Sequence, residues 1–146
     1  MAINQLEPPQ AYEALRNDPE AIYLDVRTEA EFTEGHAADA LNIPVVFLKG
    51  PGQMQVNPEF LEVAAKILPK ELKLIVGCQA GGRSQRACEM LEDAGYTNLN
   101  NVRGGFGGAR DATGTVIVKG WREAGLPISQ ETGQSSYQAL RKKAGF

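Results

Sequence analysis

The sequence predicts an α/β domain, a parallel sheet with helices on both faces. Short apolar runs alternate with segments of helical apolar spacing, and the connections between them are short. Two of those runs, residues 21–26 and 72–77, are nearly unbroken in apolar character, as strands covered on both faces require. A chain of 146 residues is long enough for one continuous core without disulfide or metal staples.

Taken in order, residues 3–6 form a first strand, and Pro8 and Pro9 lead into an amphipathic helix whose buried stripe is Ala11, Tyr12, Ala14 and Leu15. The run 21–26 is the second strand and ends in Asp25-Val26-Arg27. Thr28 with Glu31 three residues on makes a capping box for a short helix. His36 reads as a turn residue bonded to backbone. Residues 40–44 form a short strand stopped by Pro44, and residues 49–53 a loop. Asn57-Pro58 reads as an N-cap with proline at the first helical position, followed by an apolar face of Phe60, Leu61, Ala64, Ile67 and Leu68 that Pro69 ends. The run 72–77 is a central strand. A helix from residue 84 to about 94 follows and stops at Gly95, and residues 96–102 supply the last strand.

Between that central strand and helix lies Cys78-Gln79-Ala80-Gly81-Gly82-Arg83-Ser84. Adjacent glycines let the loop curl so that successive backbone N–H groups point inward, and the helix start adds unpaired donors with a partial positive charge. Such a cradle attracts an anion, here the thiolate of Cys78, whose pKa is expected to fall in that field and beside Arg83 and Arg86. A buried core cysteine before a helix cap is the plainer alternative. Cysteine, paired glycines and arginine at a strand-to-helix junction weigh against it. Cys78 to Arg83 inclusive is six residues, one fewer than the Cys-x-x-x-x-x-Arg loop of cysteine-dependent phosphatases. The tighter cradle suits the terminal sulfur of a persulfide better than a phosphate.

The loop resembles that of the rhodanese (thiosulfate sulfurtransferase) family, especially its small single-domain members with Cys-x-x-Gly-x-Arg. The run from Leu24 through Asp25, Arg27, Thr28, Glu31, Phe32 and Gly35 to His36 is similar to the family's first signature. Ala40, Asn42, Ile43 and Pro44 continue it, with Ala37 where the family has isoleucine and Asp39 where it has glycine. Gly104-Gly105, Trp121 and Gly125-Leu126-Pro127 resemble its closing motif, though residues 107–119 lengthen the gap. That segment reads either as a surface loop over one end of the sheet or as a lid near Cys78.

The resemblance covers roughly residues 3–128. It implies a three-layer α/β/α domain over residues 1–128 on a five-stranded parallel sheet, with Cys78 at the carboxyl end of a central strand. Residues 129–146 are then a polar C-terminal tail with a short basic helix (Arg141, Lys142, Lys143). It implies that Asp25 and Arg27 hold the loop and that Trp121 anchors the core. It also implies double displacement. Cys78 takes the outer sulfur of an anionic donor such as thiosulfate, and the backbone N–H groups of Gln79, Ala80, Gly81, Gly82, Arg83 and Ser84 stabilise the persulfide. Arg83 and Ser84 attract the donor's anionic group, and cyanide, a thiol or a protein acceptor removes the sulfur. Neither a metal nor an organic cofactor enters that scheme.

Composition is that of an ordinary globular protein, 42% apolar and 23% charged with net charge −3, which argues against nucleic-acid or anionic-membrane partners. No apolar run has membrane-spanning length, and the first residues lack the charged and apolar regions of a signal peptide. Two cysteines without zinc-like spacing and one histidine leave no metal site, and a reducing cytoplasm is the expected setting. Three rival readings keep the same loop: a persulfide carrier that serves a partner protein, phosphoryl or arsenate chemistry at Cys78, and a redox sensor pairing Cys78 with Cys88. Cys88, on the apolar face of its helix, is expected in the core.

Overall fold

A computed structural model describes residues 3–146. In chain order its elements are β1 (Asn4–Leu6), α1 (Pro8–Asn17), β2 (Ile22–Asp25), α2 (Glu29–Glu34), β3 (His36–Ala37), β4 (Leu41–Asn42), β5 (Val46–Gly50) and β6 (Gln53–Val56). There follow α3 (Phe60–Ile67), β7 (Leu74–Gly77), α4 (Gly82–Asp93), β8 (Leu99–Val102), β9 (Ala109–Arg110), β10 (Val116–Val118), β11 (Ile128–Ser129) and α5 (Tyr137–Ala144). The main sheet has five strands in the order β1-β8-β7-β2-β4, all parallel, as expected.

Alternation along the strands divides the core in two, because successive side chains leave opposite faces of a sheet. Leu24, Leu74, Val76 and Leu99 face α3, α4 and α5, where they meet Phe60, Val63, Ala64, Ala87, Cys88, Leu91, Tyr137 and Leu140. Tyr23, Ile75 and Val102 face the other way, onto Ala11 of α1, Phe32 and Trp121. Trp121 is fully buried, lies edge-on to Tyr12 and Tyr23, and donates its indole N–H to the Pro127 carbonyl at 2.7 Å. The tryptophan is the core anchor the sequence suggested. β7, second neighbour of both sheet edges, delivers its carboxyl end to the middle of the domain.

Several expectations need correction. Residues 49–53 are not a free loop. They form the turn of a hairpin, β5 paired antiparallel with β6, in a stretch whose Leu48, Met54 and Val56 are exposed and leave no core face to read. Asn57 does not cap α3 directly. Its Oδ1 accepts from Glu59 N–H at 3.0 Å, while its Nδ2 donates to Pro44 O (2.8 Å) and Tyr137 Oη (2.9 Å). A turn at residues 58–59 therefore precedes α3. α4 starts at Gly82, two residues earlier than predicted. Residues 109–118 fold as the hairpin β9–β10 about a turn at residues 111–114.

The basic tail also docks. α5 is capped by Ser136 and carries Tyr137 and Leu140 into the core beside α3, and Arg141 holds both oxygens of Glu59 (2.9 and 3.0 Å). No helix among the described residues is long and apolar enough to cross a membrane.

Candidate active site

β7 is buried along its whole length, and Cys78 is the first residue beyond it. The entry to the loop is bonded to both flanks. Val26 N–H donates to Gly77 O (3.0 Å), Phe106 N–H to Cys78 O (2.8 Å) and Gly107 N–H to Gln79 O (2.9 Å). The segment after β8 thus supports the loop from beneath, and it passes so close that a side chain at Gly105 would run into the Cys78 and Gln79 backbone. Residues 107–119 therefore have their root against the loop, while the turn of the β9–β10 hairpin and Ile117 are exposed.

The loop curls at Gly81, whose φ of +120° favours glycine, and Gly81 N–H points at Cys78 Sγ at 3.0 Å. Gly82 already has helical geometry, and its missing Cβ would face open space, so only the first glycine of the pair is demanded by the curl. Gln79, Ala80 and Gly82 are exposed, whereas Cys78 and Ser84 are buried. The sulfur thus faces the N-terminal end of a 12-residue helix whose first N–H groups lack intrahelical partners.

Ser84 Oγ lies 3.4 Å from Sγ, with two further acceptors in reach of its one hydrogen, Gly81 O at 3.1 Å and Asn101 Oδ1 at 2.5 Å. Asn101 in turn donates to Gln5 Oε1 at 2.8 Å. A chain of polar groups from β1 and β8 therefore backs the loop. Asn101 was not singled out from the sequence, although an asparagine pair in an otherwise buried strand was a signal, because buried amides need partners.

Asp25 and Arg27 hold the loop as expected. Arg27 binds the Asp25 carboxylate through Nε (3.1 Å) and Nη2 (2.8 Å), and Nη2 also reaches Gly35 O (2.7 Å). Its Nη1 donates to Gln79 Oε1 at 3.3 Å, and its guanidinium lies 4.6 Å from the centre of the Phe106 ring. His36 bonds the Phe32 carbonyl through Nδ1 (2.7 Å), as a backbone-bonding residue should, and stacks flat on the Phe32 ring.

Arg83 is the least anticipated member. It does not stand free over the cysteine but clasps Glu31 with two bonds, Nη1 to Oε1 at 2.7 Å and Nη2 to Oε2 at 2.9 Å. Glu31 also receives the N–H and hydroxyl of Thr28. Burial opposes its charge, but the Arg83 and Thr28 bonds outweigh that and hold its carboxyl down at about 2. The capping box was legible, and the arginine partner was not, because nothing local links residues 31 and 83. Arg86 is exposed on α4. Arg122, also exposed, lies over the outer part of Phe106 (5.4 Å).

A cavity of about 100 Å³ opens beside the loop, lined by Arg27, Glu31, Gln79, Phe106, Gly107 and Arg122 among others. A larger cavity, about 560 Å³, lies under Tyr12, Tyr23 and Trp121 on the α1 side and includes no residue of the loop. Cys88 is wholly buried, and burial, helped by nearby carboxylates, pushes its thiol up to about 12. It is the core residue predicted.

A family model described as the rhodanese-like domain matches residues 8–112. The chain belongs to that family. Among its rhodanese-like relatives, thiosulfate sulfurtransferase 16, chloroplastic, of Arabidopsis thaliana is 39% identical over 105 residues, 72% of this chain and 77% of the relative. The protein HIGH ARSENIC CONTENT 1, mitochondrial, of the same plant is 46% identical over 90 residues, 62% of this chain. That match spans about half of the relative (53%). The crystal structure of Rv0390 from M. tuberculosis superposes with a TM-score of 0.75 at 32% identity, covering 90% of this chain and all of that one.

Proposed function

We propose that this rhodanese-like domain is a sulfurtransferase that moves sulfane sulfur from an anionic donor, thiosulfate by default, to cyanide or a thiol through a persulfide on Cys78. The observation that carries this reading is the six-residue loop in which Gly81 N–H donates to Cys78 Sγ at the open end of α4. The Cys78 thiolate attacks the outer sulfur of thiosulfate, and a new S–S bond forms. The donor's own S–S bond breaks, and sulfite leaves with that electron pair. The terminal sulfur of the persulfide carries the negative charge into the cradle of loop N–H groups, where fixed dipoles stabilise it without reorganisation. A thiophile then attacks that sulfur and restores the thiolate. Arg83 serves this scheme by exchanging Glu31 for the donor's sulfonate, and the partial exposure of both side chains, 20% and 26%, leaves that exchange open. The scheme requires a compartment that keeps Cys78 reduced; the cytoplasm is our choice, while the two plant relatives are named as mitochondrial and chloroplastic.

Intact mass is the test. Thiosulfate should add one sulfur atom and cyanide should remove it; no gain on the wild type, or an equal gain on Cys78→Ala, refutes the reading. The likeness to the HIGH ARSENIC CONTENT 1 protein favours one second reading, arsenate chemistry at the same cysteine. Incubation with arsenate and a thiol reductant separates the two. Cys78-dependent formation of arsenite without any persulfide on thiosulfate treatment would replace sulfurtransfer with that reading.

A further inference from the structure

The cavity of about 560 Å³ lies at the other end of the sheet from Cys78. Ile22 and Leu41, the first residues of β2 and β4, line it, and the sheet is parallel, so the sulfur loop stands at the far, carboxyl ends of the strands. Its size falls within the ~300–1,000 Å³ usual for small-molecule sites. Leu15, Ile22, Leu41 and Pro127 are among its apolar walls, together with the rings of Tyr12, Tyr23 and Trp121. Two of those rings bring no free polar group. Trp121 has spent its N–H on Pro127 O, and Tyr23 extends its hydroxyl towards Gly77, the last residue of β7.

The side chains that do offer polar groups are Tyr12, Arg16 and Asp39. Ion pairs among the described residues are Asp25–Arg27, Glu31–Arg83, Glu7–Arg103 and Glu59–Arg141. Arg16 and Asp39 therefore share one cavity without a counter-charge, and they do not pair with each other. The Arg16 guanidinium lies 5.7 Å from the centre of the Tyr12 ring, which holds it over the aromatic side of the space. Asp39 has a φ of +67°, and it is the one non-glycine residue in the left-handed region among those described. Aspartate tolerates that backbone better than most side chains do. The cavity thus joins apolar walls to one free cation and one free anion. A ligand with only a carboxylate meets Arg16 but is opposed by Asp39, and one with only an ammonium meets the reverse. Complementarity asks for both charges on one small molecule with an apolar body.

We propose that this cavity binds a free α-amino acid with an apolar side chain. Its carboxylate meets Arg16, its ammonium meets Asp39, and its side chain lies against Leu15, Leu41 and the rings.

Calorimetric titration with L-phenylalanine tests this, with 3-phenylpropionate and 2-phenylethylamine as analogues that keep the ring and one charge each. Trp121 is the only tryptophan of the chain and lines the cavity, so its fluorescence reports occupancy there. The expected result is saturable binding of L-phenylalanine with a change in that fluorescence. Each analogue should bind about 5-fold more weakly or worse, the worth of one well-placed exposed ion pair. Arg16→Gln and Asp39→Asn should each weaken L-phenylalanine by a similar factor. Both residues are exposed, and asparagine accepts the left-handed backbone as aspartate does, so both variants should fold. Glu62→Gln, a loss of charge on exposed α3 surface, should leave binding unchanged. Absence of saturable binding, no response from Trp121, an analogue that binds as tightly as L-phenylalanine, or undiminished binding by either variant would each overturn the proposal. None of these readouts depends on sulfur transfer.

Discussion

The loop around Cys78 is held between two arginine–carboxylate pairs that use the same chemistry at different depths. Asp25 and Arg27 sit behind it, with side chains 3% exposed, and Arg27 spends its remaining donors on Gly35 and Gln79. Glu31 and Arg83 sit on its rim, with side chains 20–26% exposed, and the two bonds to Glu31 are the only side-chain hydrogen bonds Arg83 makes among the described residues. Depth separates a scaffold from a group that can change partners. A buried charge deprived of its counterion has no water to turn to, so the inner pair must stay closed. A rim charge loses little on opening, which makes the outer pair available to a substrate anion.

The sharpest way to break this comparison is to open the inner pair. Arg27→Met leaves the Asp25 carboxylate buried without its partner and should destabilise the domain by about 3–5 kcal/mol. Urea unfolding of the variant measures it. A loss no larger than that of an exposed pair would mean that water reaches Asp25 and that depth is not what distinguishes the two.

Arg83→Ala opens the outer pair and should act on turnover. A charge-assisted contact to an oxyanion is worth about 1.5–3 kcal/mol, so kcat/KM for thiosulfate should fall roughly 10- to 100-fold while the fold survives. Unchanged kinetics with a large drop in Tm would show that Arg83 serves only to hold Glu31.

These two pairs also mark how far the sequence could be read. The parallel sheet, the position of Cys78 after β7, the Thr28–Glu31 capping box and the core placement of Cys88 and Trp121 were all legible. All but the tryptophan rest on local spacing, in apolar runs, caps, or a cysteine and glycines within one loop, whereas Trp121 was placed through the family's closing motif. The Asp25–Arg27 pair was legible as a loop clamp through its family motif. The Arg83–Glu31 clasp and the Ser84–Asn101–Gln5 chain were not, because they join side chains from separate elements whose distance in sequence says nothing of their distance in space. The β5–β6 hairpin was missed for a different reason. Its side chains are mostly exposed, so no alternation of apolar and polar residues announces it.

Glu31→Gln sharpens the comparison from the other partner. It removes the competitor for Arg83 while keeping the hydrogen bonds to Thr28 within reach of the amide. Stability should fall by about 1 kcal/mol at most, as for a partly exposed pair. The freed guanidinium should lower KM for thiosulfate severalfold with little change in kcat. A raised KM would instead mean that Glu31 orients Arg83 for the donor and does not compete with it.

The smallest effect is in the acid limb of stability, and it follows from the depressed carboxyl of Glu31, held at about 2 against its ordinary 4.5. A group whose folded pKa lies below its unfolded value stabilises the folded state most when both states are ionised, here above about pH 4.5. As pH falls from there, the unfolded chain takes up a proton that the folded chain refuses, so stability drops until about pH 2, where the folded carboxyl protonates as well. Solvent reaches this pair, so the loss over that window should be screened to about 1 kcal/mol, well short of what the full shift implies. Urea midpoints measured across the window should therefore converge, with the wild type losing its advantage over Glu31→Gln as the pH is lowered. Should the two proteins instead lose stability in parallel, the acid sensitivity belongs to other carboxylates, and the rim pair contributes no more to the fold than an exposed pair does.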